Sequence, residues 1–488
     1  MHAHFVGVCG TGMGALAALF RERGDRVTGS DVAFDPPVGP ALRASGVECL
    51  EGWSADHLEP APDLVVVGNV IRKDNPESRA AEERGLRRAS MSGALRAEFL
   101  EGRRPLVVCG THGKTTTSAM AAHVLSRAGL EPGWFVGGLP KDLPAQASQG
   151  STRRRLTAGG KPAPFVVEGD EYDDVHWSKK PKFLDYVGVG KDDVVILTSV
   201  EHDHIDVYPT PEAYEATFRA MLEKLPEDGV LVCDAAQPRA VALAQAHARC
   251  PIAFYGLDGD APGAVTPVWS AALAHAEDGR QYFDAFAGGA SLGRFAIAVP
   301  GAHNVRNALA VIAAASLGWG LAPGVVREGL LSFSGVRRRQ DLLGTPNGVR
   351  VYDDFAHHPT AVLETLRALK RANPSGRLFA IFEPRSATAC RALHQAEYPG
   401  AFEAADRVIL APLGRTNVPE AERLDVARVV REIGSKAEAL ASVDAIVAKV
   451  AEEARPGDAV AVLSNGSFGQ IHSKLLAALA ARAPVERT

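Results

Sequence analysis

The chain has little that could staple it covalently. Six cysteines are spread over 488 residues, at Cys9, Cys49, Cys109, Cys233, Cys250 and Cys390. None forms a Cys-x-x-Cys pair, and the spacing fits neither a zinc site nor a disulfide framework. They read as buried free thiols of a reducing compartment. A long apolar run is also missing. The longest uncharged stretch, Asn307 to Val326, is interrupted by Gly318, Gly320, Pro323 and Gly324. It reads as a buried helix followed by a loop rather than a membrane span. The opening MHAHFVGVCG has no basic segment ahead of an apolar one, so no signal peptide is expected. A cytoplasmic chain without membrane insertion is expected instead. Positive charge is not in excess: 53 Lys+Arg against 58 Asp+Glu give a net charge of −5. Proteins that live on nucleic-acid phosphates are usually basic, so no nucleic-acid partner is expected. A total of this kind leaves room for local basic pockets that take small anions.

What is present describes a folded, multidomain α/β chain. Hydrophobic residues at 46 % and charged residues at 23 % exclude a wholly disordered chain. At roughly 150 residues per domain the length suggests about three domains. Strand-like HFVGVCG, RVTGSD and DLVVVGN alternate with helical segments such as MGALAALFRERG. Continuous apolar strands with helices between them imply a parallel sheet covered on both faces. A second unit opens near Pro105 with PLVVCG and continues through PFVVEGD, VVILTSV and GVLVCD. A third begins around Val336 and carries VRVYDDF, RLFAIFEP, DRVILAPL and DAVAVLSNG. Gln146 to Pro164, rich in Ser, Arg, Gly and Pro, reads as a surface loop. Ligands are expected at the carboxyl ends of these strands.

The sharpest local signal is Gly110-Thr111-His112-Gly113-Lys114-Thr115-Thr116, set between a strand and a helix. Glycines let backbone N–H groups turn inward around a phosphate, and the helix N-terminus favours negative charge. Lys114 would reach the terminal phosphates and Thr115 would offer its hydroxyl to Mg²⁺. Val108 stands where the longer loop has glycine, so this is a compact variant. Two acidic clusters follow strands, one with Glu168, Asp170 and Glu171, the other with Glu201, His202, Asp203, His204 and Asp206. One sheet edge would gather both beside the loop. The first turn holds Gly7, Gly10, Gly12 and Gly14, with Asp31 about 20 residues on, as a nucleotide-diphosphate turn requires. Gly301-Ala-His303-Asn304-Val-Arg306-Asn307 opens the alanine-rich helix, where Asn304 or Asn307 could cap it. Tyr352-Asp353-Asp354-Phe355-Ala356-His357-His358-Pro359 follows a strand of the third unit.

Taken in order, these segments resemble the Mur ligases, the ATP-dependent amide-forming enzymes of peptidoglycan synthesis. The likeness runs through GVCGTGMGALA, GSD, GTHGKTTT, VVEGDEYD, EHDHID, GAHNVRNALA, GVRRRQ and YDDFAHHPTA. It implies an α/β fold of three tandem domains. Residues 1–104 would be a Rossmann-like domain holding a UDP-sugar. Residues 105–335 would be a central P-loop ATPase-like parallel sheet binding ATP. Residues 336–488 would be a Rossmann-like α/β domain meeting ATP and the incoming peptide.

Two branches of the family share these motifs. One adds L-alanine to UDP-N-acetylmuramate. The other joins the preformed peptide L-alanyl-γ-D-glutamyl-meso-diaminopimelate to the same nucleotide sugar in wall recycling. FEPRSAT at 382–388, SNGSFGQIHSKLL at 464–476 and GNVIRKDNP at 68–76 are similar to the recycling branch. The resemblance implies ATP and Mg²⁺ as cofactors, UDP-N-acetylmuramate and the tripeptide as partners, and a monomer or homodimer.

By motif, residues 110–116 would cradle ATP, with Asn307 and Arg338 contacting adenine and phosphate. The pattern does not separate Arg338 from Arg337 and Arg339. Thr115, Glu168 and His204 would hold the metal. Lys114, His204, Asp353 and His357 would be catalytic. Gly10, Thr11, Gly12, Met13, Asp31 and Asn69 would hold the nucleotide sugar, and Arg385 a peptide carboxylate, which a guanidinium grips bidentately. The sequence departs from the family at Ser199, where Asn is common. It departs again after Tyr214-Glu215-Ala216, where Thr217, Phe218 and Arg219 replace a region that carries a carbamylated lysine in some members. A non-catalytic nucleotide-binding regulator and an NAD-dependent oxidoreductase are the alternatives from other classes.

Overall fold

The computed structural model describes residues 1–36, 38–151, 160 and 162–482. His2–Val6 is the central strand of the first sheet. The spatial order is Glu48–Glu51, Arg26–Asp31, His2–Val6, Leu64–Val67 and Arg88–Ser90, all parallel. This is the Rossmann order, in which the chain reverses direction across the sheet beside its first strand. Side chains alternate faces along a strand. Phe5 packs edge-on against Phe20 of the helix Thr11–Glu22, with ring centroids 5.4 Å apart.

On the other face His4 meets Glu77, and both are fully buried. Glu77 is on the helix Pro76–Glu83. Its Oε2 accepts from His4 Nε2 at 3.0 Å and Ser30 Oγ at 2.5 Å. Its Oε1 accepts from the Ser54 backbone N–H at 3.1 Å and His57 Nδ1 at 2.8 Å. Burial opposes the Glu77 charge, but the hydrogen bonds from His4 and Ser30 outweigh it and hold the carboxyl below its ordinary range. Its stabilisation is therefore complete above the ordinary carboxylate range and is lost as the pH falls from that range down through the lowered folded-state value. Glu77→Ala leaves these donors unpaired in the core and is expected to cost about 3–5 kcal/mol. Urea unfolding checks this, and a loss below about 1 kcal/mol would contradict it.

The central sheet has ten strands. Ala290–Ile297, Arg280–Ala287 and Trp269–Glu277 form an antiparallel meander at one end. Ile252–Leu257, Val230–Asp234, Val194–Leu197, Arg104–Cys109, Pro164–Glu168 and Gly133–Phe135 continue in parallel, and Ala147–Ser148 closes the far edge antiparallel. The helices Lys114–Arg127 and Ala302–Trp319 pack on one face around Val108, Met120, Ile196 and Leu309. The long uncharged stretch is thus a buried helix that ends at Trp319, followed by a second helix, Pro323–Leu331, rather than a loop alone. No helix among the described residues is long and apolar enough to cross a membrane. Of the stretch from 146 to 164 expected as a surface loop, Ala147–Ser148 is a strand, and 152–159 and 161 lie outside the described residues.

The third sheet runs Asp341–Gly344, Arg350–Asp354, Ala459–Leu463, Leu378–Phe382, Arg407–Leu410 and Ala437–Ala439. Only the first of these is antiparallel. Helices cover both faces. Lys141 reaches across from the central unit to Asp341 at 2.7 Å. All six cysteines are free, but Cys9 and Cys49 are half-buried rather than buried. Burial and the nearby Asp31 carboxylate push the Cys9 thiol up to about 11.

Candidate active site

The phosphate-type loop forms because its glycines adopt conformations other residues avoid. Gly110 has φ +131° and Gly113 φ +79°. A Cβ on Gly110 would lie 2.2 Å from Thr198 Oγ1, and one on Gly113 would lie 2.8 Å from Asn307 Oδ1. Both clashes involve neighbouring polar groups that face the loop. Ser199 Oγ accepts from the His112 backbone N–H at 3.0 Å. The loop opens into a cavity of about 720 Å³ between the central and third units. Lys114, Thr115, Glu168, Glu171, His204, Asn307, Arg339 and His357 are among the residues lining it.

Lys114 and Glu171 dominate its electrostatics. Lys114 Nζ is 2.9 Å from Glu171 Oε1 and donates to the Gly110 carbonyl at 2.5 Å. Burial opposes the Glu171 charge, but Lys114 and His204 overcome it and bring the carboxyl down to about 2. The same contact raises Lys114 against the downward pull of its burial. His204 Nε2 lies 2.9 Å from Glu171 Oε1. Burial pulls its imidazole down, but the hydrogen bond and charge of Glu171, with the Asp203 carboxylate, together raise it.

Glu168 behaves differently. Thr115 Oγ1 donates to its Oε1 at 2.8 Å and the Gly137 N–H to its Oε2 at 2.5 Å. Burial still pushes its carboxyl up. A deep carboxylate and a hydroxyl at contact distance form an all-oxygen pair of the kind a hard divalent cation takes.

The third unit closes over this floor. Arg339 Nη2 donates to Thr115 Oγ1 at 3.2 Å. Thr360 Oγ1 donates to Glu201 Oε2 at 2.7 Å. His357 Nε2 faces Asp203 Oδ2 at 3.8 Å, and the Asp203 Oδ1 accepts the His204 backbone N–H at 2.7 Å. Burial would raise the Asp203 carboxyl, but His357 and His204 hold it well below the ordinary range.

The residues expected from the sequence do not all meet here. Residues 111–116, Glu168, His204, Asn307 and His357 line the cavity. Arg338 does not. Its guanidinium turns into the third unit, donating to the Ser464 and Gly466 carbonyls at 2.8 Å each. The arginine that faces the phosphate loop is Arg339. The cause is local: Arg338 sits at φ +61°, so the chain swings there and the two side chains diverge.

Asp353 is likewise outside the cavity, paired with His472 at 3.1 Å and Arg338 at 3.4 Å. Its neighbour Asp354 lines the cavity instead, as alternation along a strand requires. Asp354 accepts from the Gln340 and Ala356 backbone N–H groups at 2.7 and 2.8 Å. His204 is positioned on Glu171 rather than on Glu168. Neither Asn304 nor Asn307 caps the helix Ala302–Trp319, whose N-cap is Gly301.

Gly10, Thr11, Gly12, Met13, Asp31 and Asn69 gather separately, at the carboxyl edge of the first sheet. Asp31 Oδ2 accepts the Cys9 N–H at 2.8 Å, which fixes the turn. Met13 is core, at 5 % exposure, and a Cβ on Gly12 would lie 2.7 Å from Met91 Sδ. These two therefore serve packing of the helix. Asn69 is exposed.

Arg385 follows the strand Leu378–Phe382, outside the cavity and half-exposed. It lies against Gly466 and Gly414, where a Cβ would come within 2.2 Å of its Cδ and 2.9 Å of its Cγ. Asp354, Arg339, Glu171 and His358 are cavity residues that motif reading did not select. Glu171 belongs to the same acidic cluster as Glu168, so its composition was visible but its contact with Lys114 was not.

Three family models match the chain. They are the Mur ligase family catalytic domain over residues 2–101, the Mur ligase middle domain over 176–315, and the Mur ligase glutamate ligase domain over 338–466. A UDP-N-acetylmuramate–L-alanyl-γ-D-glutamyl-meso-2,6-diaminoheptandioate ligase from Escherichia coli is 35 % identical over 99 % of each chain. A UDP-N-acetylmuramate–L-alanine ligase from Kineococcus radiotolerans is 36 % identical over 98 % of this chain and 96 % of that one. The crystal structure of a murein peptide ligase from Psychrobacter arcticus is similar with a TM-score of 0.70 and 32 % identity, covering 99 % of this chain and 100 % of the other.

Proposed function

This chain belongs to the Mur ligase family, and from that premise we propose that it joins UDP-N-acetylmuramate to the tripeptide L-alanyl-γ-D-glutamyl-meso-diaminopimelate, using ATP. The observation that carries the reading is the pairing of a built phosphate loop with an acidic floor, Lys114, Thr115, Glu168 and Glu171, beneath a domain that carries Arg385. The full-length relative from Escherichia coli and the Psychrobacter arcticus structure bear names of that branch.

The chemistry follows from charge. The lactyl carboxylate attacks the γ-phosphorus of ATP, giving an acyl phosphate and ADP. The peptide amine then adds to the acyl carbon, and inorganic phosphate leaves the tetrahedral intermediate as the amide forms. The first step brings two anions together. Lys114, freed from Glu171 by the incoming phosphates, supplies a cation at the transferring group. The loop N–H groups and the N-terminus of the helix Lys114–Arg127 add fixed positive potential. Thr115 and Glu168 fit Mg²⁺, being oxygen donors 2.8 Å apart, the first buried and the second half-buried. Mg²⁺ bound there would screen the phosphate charge. Arg339 brings a second fixed cation to the same wall. His357 of the third domain meets Asp203 of the central domain, closing the cavity and excluding water from the reactive acyl group.

The mechanism has an isotopic signature. UDP-N-acetylmuramate labelled with ¹⁸O in its lactyl carboxylate is expected to transfer one labelled oxygen to the released phosphate for each turnover. Phosphate without label would overturn the acyl-phosphate route.

A further inference from the structure

A second cluster of metal-type donors stands beside the Thr115–Glu168 pair and shares no residue with it. His112 comes from the phosphate loop, Glu201 from the segment after Val194–Leu197, and His358 from the third domain, where it caps the helix Pro359–Ala372. One ligand atom from each lies within 4.8 Å of the others. His112 Nε2 and His358 Nδ1 are 3.2 and 3.7 Å from the same oxygen, Glu201 Oε2. A tetrahedral ion with bonds of about 2.0–2.2 Å spaces its ligands about 3.3–3.6 Å apart, which the two distances to Glu201 already approach.

The hydrogen bonding around His358 leaves one of its ring nitrogens unpartnered. His358 Nδ1 accepts the Thr360 backbone N–H at 3.3 Å, so it carries a lone pair and the ring proton sits on Nε2. That Nε2 is buried without a hydrogen-bond partner, in a side chain 6 % exposed. Nδ1 also stands 3.7 Å from Glu201 Oε2, and an ion bound there would replace the Thr360 N–H as the partner of its single lone pair. Thr360 Oγ1 holds the carboxylate in place at 2.7 Å, as outer-shell donors do in metal sites.

We propose that His112, Glu201 and His358 bind one divalent transition ion of the zinc and cobalt class, which fastens the third domain to the phosphate loop. Two imidazoles and a carboxylate suit such ions, whereas Mg²⁺ prefers oxygen donors. The site is thus separate in chemistry from the magnesium pair.

The test uses the full-length, nucleotide-free protein in excess Mg²⁺, titrated with Co²⁺ and followed by visible absorption and calorimetry. The expected result is one Co²⁺ per chain with a d–d band, displaced by Zn²⁺. His358→Ala and Glu201→Gln should each weaken binding by at least about tenfold. Glu168→Gln should leave the band unchanged. The absence of saturable Co²⁺ binding, a band that survives His358→Ala, or a band lost in Glu168→Gln would overturn the proposal. None of these readouts depends on turnover, so they stand apart from the ligase assignment.

Discussion

Lys114→Ala is expected to lower ligase turnover by at least about 1000-fold while the protein stays folded. Lys114 is the half-buried cation at the head of the phosphate loop, and no other lysine lines the cavity among the described residues. Its removal takes away the ammonium that sits at the transferring group as the two anions meet. The folded state persists because Glu171 keeps His204 at 2.9 Å and the Tyr214 hydroxyl at 3.3 Å. Stability still falls, by about 3 kcal/mol, since a buried carboxylate loses its main counter-charge. Lys114→Arg should not restore activity, because a planar guanidinium does not fit a loop shaped around a single ammonium. Phosphate release, read together with thermal unfolding, checks both halves. Turnover within tenfold of the parent in a folded Lys114→Ala protein would remove the phosphate-loop assignment.

Arg385→Ala is expected to raise the KM for the tripeptide by roughly 10- to 100-fold, the equivalent of about 1.5–3 kcal/mol for a charge-assisted hydrogen bond. The KM for ATP should stay within about threefold, because Arg385 lies outside the nucleotide cavity. Gly466→Ala provides an independent route to the same phenotype. Its Cβ would sit 2.2 Å from Arg385 Cδ and force the guanidinium aside. Equal loss for ATP and peptide would point to a damaged fold rather than a lost peptide contact.

How far the sequence reaches depends on how local each feature is. The fold class is carried by runs such as Leu64–Val67 and Ala459–Leu463, continuous apolar strands that only a doubly covered sheet can bury. The phosphate loop is equally local, since Gly110, Gly113, Lys114 and Thr115 are adjacent in the chain and act through one turn. Choices between neighbours are not local. Arg338 and Arg339 are one residue apart, and a backbone turn at φ +61° sends them to different domains. Asp353 and Asp354 part company by strand alternation, whose phase cannot be read from the pair itself. The contact between Glu171 and Lys114 joins residues 57 positions apart. The His112, Glu201 and His358 cluster spans two domains, so each member reads alone as a loop histidine or a surface acid.

The most direct test of the ligase assignment is phosphate release from ATP with UDP-N-acetylmuramate and Mg²⁺, run in parallel with the tripeptide or with L-alanine as acceptor. Rapid release with the tripeptide and little with L-alanine is the predicted result. Release with L-alanine alone would contradict the peptide acceptor, and release with neither would contradict the ligase itself.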